Sequence, residues 1–326
     1  MVEDTEGLEK KFNALREKYE KLGNNLETAL RLMISNKKID FLNISYRIKN
    51  YESFIEKIER KKYKNPFEQV KDICGLRIIC YYLSDIDKIS KIINEEFDVL
   101  SSVSKKDKLE ADRFGYLSDQ FVVKIKDKWF EAPEWRGLNN LEAEIQVRTV
   151  SMHAWGEIEH KLAYKKKEHV PEMFRRKLYR LSALFEMADE QFENLRNERN
   201  NYMGSIKENY NELNISDIKG MNLDILQTFL DKFVPKKEKS IESTRNLLDE
   251  LITNEIIVQD LYDSYQKTKE ILNQIEREYF IETNKKFSQA GTIRCSLDIT
   301  NKSLSRTYKF SEIEEKLVEK WRKKIK

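Results

Sequence analysis

Arg77 places a charge inside an apolar run, DICGLRIICYYL (72–83). An unpaired guanidinium fully buried there would cost several kcal/mol. Arg77 therefore either sits at a sheet edge or in a structural ion pair, or its strand end opens on a polar cleft where the guanidinium pairs with or stacks on a ligand. A second group lies in RIKNYESFIEK (47–57). Arg47 and Lys49 alternate on a strand that ends just before a helix start, and Ser53 and Lys57 share a helix face at i, i+4. Converging cations beside backbone N–H groups at a helix N-terminus suit a polyphosphate. The plain alternative is a charged surface on a lysine-rich chain.

Two acids stand out against that background. Asp72 begins the Arg77 strand, and Glu144 lies in LEAEIQVRT (141–149). In that segment Leu141, Ala143, Ile145 and Val147 take one side of an extended chain, and Glu142, Glu144, Gln146 and Arg148 take the other. Such a polar row faces either water or a substrate. Carboxylates brought together on neighbouring strands are hard oxygen ligands for Mg²⁺, which keeps few protein ligands and takes phosphate oxygens for the rest. One of them could instead orient or deprotonate an attacking hydroxyl. Tyr116, in FGYLSDQ (114–120) after the permissive Gly115, offers a flat face to a base or covers the core edge.

The elements that must hold these residues follow from periodicity. Residues 5–36 read as charged helix, 41–49 as strand, and the segment after Asn50 as helix with Asn50 as N-cap. The run 72–83 reads as a strand buried on both faces. Ser84 opens a helix to about residue 97 through a capping box with Asp87. A polar loop (101–116) precedes a strand over 118–126, and a loop with Pro133 and Gly137 leads to the strand of the polar row and a helix over about 150–165. This β-α-β-α-β-β-α order predicts a mixed β-sheet flanked by helices, an α/β or α+β domain.

From Pro171 a long helix to about residue 203 carries Phe174, Leu178, Leu181, Phe185, Ala188, Phe192 and Leu195 at heptad-like spacing. That stripe is expected to pack on its own domain, with a subunit contact as the alternative. A polar linker over 201–222 and a mostly helical stretch from 223 to 326 complete the chain, which divides into 1–204 and 205–326.

Composition narrows the class. The chain has 326 residues, 36% of them charged, with 60 basic against 57 acidic side chains, so the formal charge of +3 gives no global pull toward nucleic acid. Three cysteines, Cys74, Cys80 and Cys295, lack metal-ligand spacing, and an odd number argues against a disulfide framework. The charged N-terminus is not expected to act as a signal peptide, and no apolar run approaches the ~20 residues that span a bilayer. The expected compartment is the cytoplasm, with no membrane partner.

Taken in order, RIKNYESFIEK, VKDICGLRIICYY, FGYLS and AEIQVRTVSMHAWGEIEHKLAYKK resemble the synthetase domain of the RelA/SpoT-type alarmone synthetases, over about residues 41–167. The resemblance implies a sheet distantly similar to nucleotidyltransferases and a pyrophosphoryl transfer. In that reaction the 3′-hydroxyl of GDP or GTP attacks the β-phosphorus of ATP, yielding (p)ppGpp and AMP. It further implies that Asp72 holds Mg²⁺ and that Glu144 orients or activates the hydroxyl, with the metal within its reach. By the same resemblance Arg47 and Arg77 flank the adenine, Lys49, Ser53 and Lys57 bind the ATP phosphates, and Tyr116 stacks on guanine. Gln146, Arg148, His153 and Glu159 fall where the family lines the acceptor pocket.

Two departures qualify the match. Gln120 stands where the family's tyrosine loop often has histidine, and glutamine carries neither a proton nor a charge at neutral pH. None of His153, His160 and His169 precedes an aspartate, so the metal motif of the family's hydrolase half is missing and synthesis without hydrolysis is expected. Residues 205–326 show no evident resemblance to the regulatory domains of the long members and are expected to regulate, oligomerise or recognise a partner. The competing readings are a toxin-type member that modifies the 3′-CCA end of tRNA, and an inactive nucleotide-sensing module.

Overall fold

The computed structural model describes residues 5–103, 118–162, 171–302, 304 and 311–324. The chain divides into two compact units, Met1–Arg196 and Asn197–Lys326. The first contains α1 (Thr5–Asn36), β1 (Phe41–Ile48), α2 (Tyr51–Lys61), the single turn α3 (Pro66–Gln69), β2 (Cys74–Cys80) and α4 (Leu83–Glu96). These are followed by β3 (Phe97–Val103), β4 (Asp119–Ile125), β5 (Ala143–Thr149), α5 (Val150–Leu162) and the first part of α6 (Glu172–Glu212). The five strands form one mixed sheet in the order β1-β2-β5-β4-β3, with β2 and β5 parallel and every other pair antiparallel.

One face of the sheet is the core. Ile44, Leu76, Ile78, Ile145, Val147, Phe121 and Val123 point into it, because alternate residues of a strand share a face. They meet Leu22, Leu26 and Leu30 of α1 and Ile86, Ile89 and Ile93 of α4, each set at helical spacing. Gly23 is required here: a Cβ on it would fall 2.4 Å from the Tyr46 ring of β1, so only glycine lets helix and strand approach this closely. Asn50 caps α2 as expected, its side chain accepting from Ser53 N at 3.0 Å. Phe54 of α2 is wholly buried against Phe12 and Phe67, with centroids at 4.9 and 5.3 Å. Burial of that ring contributes about 2–3 kcal/mol to holding α2 beside the sheet.

Several local expectations change. The strand predicted as buried on both faces is so only towards its end, where Ile78, Ile79 and Cys80 are all buried; before that, Gly75 and Arg77 are half-buried on the second face. β3 escapes a sequence reading because it is an edge strand with a serine-rich, largely exposed surface, and only Phe97 is buried. The capping box at Ser84 does not form. α4 starts one residue earlier, and Ser84 N instead donates to the Glu193 carboxylate of α6 at 3.1 Å. Asp85, buried beside it, pairs with Lys88 and Arg196, each at 2.9 Å.

α6 is also longer and differently oriented than its apolar stripe suggests. Helix continues through the first half of the predicted linker, to Glu212. Phe185 stacks on Trp155, but Phe174, Leu181, Phe192 and Leu195 are exposed. The face that docks carries the buried Ser182 together with Asp189, Glu193 and Arg196, and the polar groups of these last three meet polar ends of β5 and α4. Hydrophobic periodicity is blind to a contact made by hydrogen bonds.

The second unit is helical: the end of α6, then α7 (Leu223–Phe233), α8 (Ile241–Thr253), α9 (Val258–Thr268), α10 (Leu272–Thr283), α11 (Gln289–Thr300) and α12 (Glu312–Arg322). α11 runs through its middle, with Ile293 and Leu297 packed among Phe229, Leu247 and Leu261. Among the described residues no helix is long and apolar enough to cross a membrane.

Candidate active site

The second face of the sheet holds the polar rows. Strand register places Arg47, Gly75, Glu144 and Val122 side by side across β1, β2, β5 and β4. Ser45, Arg77, Gln146 and Gln120 form the next row. Residues directly opposite one another on paired strands project to the same side. Gly75 has no side chain to stand between Arg47 and Glu144, so the floor is open at that point. The result is a cleft of about 430 Å³ lined by the β1, β2 and β5 members of both rows, joined by Lys49, Asp72 and Glu157. That volume lies in the range of small-molecule sites.

Asp72 precedes β2 by two residues and enters the cleft from its strand end. Its Oδ2 accepts from Lys49 Nζ at 3.0 Å and from Lys57 Nζ at 2.9 Å. Only 23% of the aspartate side chain is exposed, against 14% for Lys49 and 19% for Lys57, so the three charges interact with little screening. Burial by itself would raise the carboxyl, but the hydrogen bonds and charges of Lys57 and Lys49 outweigh it and hold Asp72 below the usual carboxylate range. Its Oδ1 is buried with no hydrogen-bond partner.

Glu144 is the second residue of β5, and Gln146 Nε2 donates to its Oε1 at 2.8 Å, which limits the carboxylate's rotation. The β5–α5 turn follows at once. Thr149 accepts from Met152 N through Oγ1 at 3.0 Å and donates to the buried Asp189 carboxylate of α6. That junction aims α5 across the end of the polar face. Arg148 lies against α5 where Gly156 has no side chain; a Cβ there would fall 2.8 Å from Arg148 Nη1. Burial and the neighbouring Arg77 lower the Arg148 pKa, while Glu157, Glu144 and Glu159 act to raise it. Arg77 Nη1 donates to Glu157 Oε1 at 2.8 Å and lies 3.5 Å from His153 Nδ1. Burial and then Arg77 lower the His153 pKa, while Glu157 acts to raise it.

The structure therefore brings Arg47, Lys49, Asp72, Arg77, Glu144 and Gln146 into one cleft. Lys57 reaches it through Asp72, and Arg148 and His153 sit behind Arg77. Ser53 lies one turn before Lys57 with its N–H already bonded to Asn50, and its side chain is not among those lining the cleft. Glu159 is half-buried on α5, close enough for its charge to act on Arg148. Tyr116 lies outside the described residues. Gln120 stands beside Gln146 across β4 and β5, so the position where relatives often have histidine belongs to this face. Sequence reasoning missed Ser45, Gly75 and Glu157. The first two share strand parity with Arg47 and Arg77, and Glu157 is i+4 from His153, so each had a signal.

The donor set suits a hard cation. Among the described residues no three His, Cys, Asp or Glu side chains come together, so a metal here would rest on the Asp72 and Glu144 carboxylates. Mg²⁺ is well served by one or two carboxylates completed by phosphate and water oxygens, and the unpartnered Oδ1 of Asp72 supplies an oxygen with no competing bond.

A family model described as a region found in RelA/SpoT proteins matches residues 46–169, which span the cleft. Over 157 residues the chain is 30% identical to the GTP pyrophosphokinase YwaC of Bacillus subtilis, covering 47% of this chain and 72% of that protein. It is 31% identical to the GTP pyrophosphokinase YjbM of the same organism, covering 48% and 72%. Among solved structures, small alarmone synthetase 1 from Bacillus subtilis bound to its product pppGpp aligns with a TM-score of 0.49 at 26% identity, over 58% of this chain and 98% of that one.

Proposed function

The chain belongs to the RelA/SpoT family of GTP pyrophosphokinases, and from that premise we propose that its first unit transfers the pyrophosphoryl group of ATP to the 3′-hydroxyl of GDP or GTP. The observation that carries this reading is the meeting of Asp72 and Glu144 in one cleft rimmed by Arg47, Lys49 and Arg77. The reaction needs cations for a triphosphate, a carboxylate near the acceptor hydroxyl, and a second carboxylate for the metal, and these residues are of those types.

In this reading a bond forms between the acceptor 3′-oxygen and the β-phosphorus of ATP, and the bond from that phosphorus to the α–β bridging oxygen breaks. AMP departs with the bridging oxygen, and the hydroxyl proton passes to the Glu144 carboxylate. Gln146 holds that carboxylate by one oxygen, which pre-orients it for the proton. Lys49 and Lys57, which neutralise Asp72 at rest, turn part of their hydrogen bonding to the incoming phosphates, and Arg47 adds charge from β1. Arg77 and Arg47 flank the adenine. Mg²⁺ held by Asp72 and Glu144 would supply charge neutralisation on the transferring phosphates. Phosphoryl chemistry of this kind draws most of its rate from positioning and electrostatics, which a rigid sheet with pinned side chains provides.

The test is direct. The protein is incubated with Mg²⁺ and γ-labelled ATP, with GDP, GTP and tRNA offered in parallel. Label is expected in ppGpp or pppGpp; label in tRNA, or transfer to no acceptor, would overturn the assignment. Unlabelled ppGpp added back should stay intact, since the sequence contains no His-Asp dyad.

A further inference from the structure

We propose that Glu157 is a positioning residue for the donor nucleotide: from α5 it grips one edge of the Arg77 guanidinium and keeps the flat face of that group turned into the cleft, where the purine base stacks. The proposal rests on the reading of the cleft as an ATP site and adds a residue that the sequence motifs did not single out.

An arginine on a sheet floor is a poor stacking platform unless something fixes it, because its long stem has many rotamers. Among the described residues, the Arg77 guanidinium is held from one side. Its Nη1 donates to Glu157 Oε1 at 2.8 Å and lies 3.5 Å from His153 Nδ1, and both partners stand on α5, one turn apart. Guanidinium N–H bonds lie in the plane of the group, so partners at one edge set the plane and leave both faces for stacking.

Charge points the same way. Arg77 and Arg148 stand close enough for Arg77 to depress the Arg148 pKa, and Glu157 acts on Arg148 in the opposite sense. Without the Glu157 carboxylate the two cations would push Arg77 away from α5. Glu157 has little structural work: its side chain is 54% exposed, on a helix anchored by Trp155 and Met152. A carboxylate so exposed, yet spending its hydrogen bond on the cleft's arginine, is placed for the ligand rather than for the fold.

The test is a double-mutant cycle with Arg77 read by ATP kinetics and by binding of α,β-methylene ATP in titration calorimetry. A hydrogen bond to a charged group contributes about 1.5 kcal/mol, which is about tenfold in an equilibrium constant. Glu157→Ala is expected to raise KM for ATP and Kd for the analogue about tenfold, with KM for the acceptor unchanged and kcat within about twofold. Glu157→Gln keeps an acceptor oxygen and should recover most of the loss. Once Arg77 is alanine, removing Glu157 should change nothing further, a coupling that a merely structural role would not produce. Unchanged or tighter analogue binding by Glu157→Ala overturns the proposal; tighter binding would mean that the pair is a latch that ATP must break. If the wild-type protein transfers to no acceptor yet binds the analogue tenfold better than Glu157→Ala, the reaction assignment fails and the positioning role stands.

Discussion

Replacing Asp189 by asparagine should remove a pH dependence from the stability of the first unit. Asp189 is 2% exposed, accepts from the Thr149 hydroxyl, and leaves its Oδ1 buried without a partner. Burial pushes its carboxyl from 3.8 up to about 7. Between those two values the folded state holds a proton that the unfolded chain has released, so stability falls as pH rises and the loss is complete above pH 7. With 1.36 kcal/mol per pKa unit, integration from about pH 5 to about pH 8 gives a loss of about 2–3 kcal/mol from this one group. Asparagine still accepts from Thr149 but sets an NH₂ where Oδ1 had no partner, a cost independent of pH. The informative quantity is therefore the change with pH of the difference between wild type and variant. Urea unfolding followed by tryptophan fluorescence, with Trp155 packed nearby on Phe185, measures it. Wild type should lose about 2–3 kcal/mol relative to Asp189→Asn over that range. A difference that stays flat within about 0.5 kcal/mol would refute the reasoning, and would mean that water or relaxation keeps this carboxylate ionised in the fold.

Three further outcomes are expected. Glu144→Gln should lower kcat at least about 100-fold while leaving binding of an ATP analogue within about threefold, because the proton acceptor is lost and the donor contacts are not. Asp72→Asn strands Lys49 and Lys57 without their carboxylate and should cost about 2–3 kcal/mol in urea unfolding at neutral pH. Because the folded pKa of Asp72 is depressed, that penalty should begin to fade as pH falls below the ordinary aspartate value of 3.8 and should vanish only below the lower folded pKa, where the wild-type carboxyl is protonated too. Gly156→Ala gains about 1 kcal/mol of helix propensity but forces Arg148 Nη1 off its 2.8 Å position, so the melting temperature should hold or rise while KM for the acceptor nucleotide increases several-fold.

Much of the site was legible because it follows from strand parity. Glu144, Gln146 and Arg148 share a face by alternation alone, and Arg77 advertises itself as a charge within an apolar run. Asn50 announced α2 by its side chain, and the cap formed. The failures also have physical causes. Ser84 looked like a cap, but a carboxylate 109 residues away reached its N–H first. β3 has too little apolar surface to register as a strand, since an edge needs only one partner. The stripe on α6 predicted an apolar contact where the helix docks through Asp189, Glu193 and Arg196.

Local information thus determined the kinds of chemistry present: two carboxylates, a set of cations and the alternation that sorts them from the core. Which groups touch was settled only by the fold. Parallel pairing of β2 with β5 sets Gly75 beside Glu144 and Arg77 beside Gln146 across 69 positions of chain. Lys49 and Lys57, from a strand end and a helix, both hold Asp72, and an exposed glutamate on α5 takes hold of Arg77. Side-chain partners are chosen by distance in space, and distance in space is a property of strand register and helix docking that no stretch of neighbouring residues encodes alone.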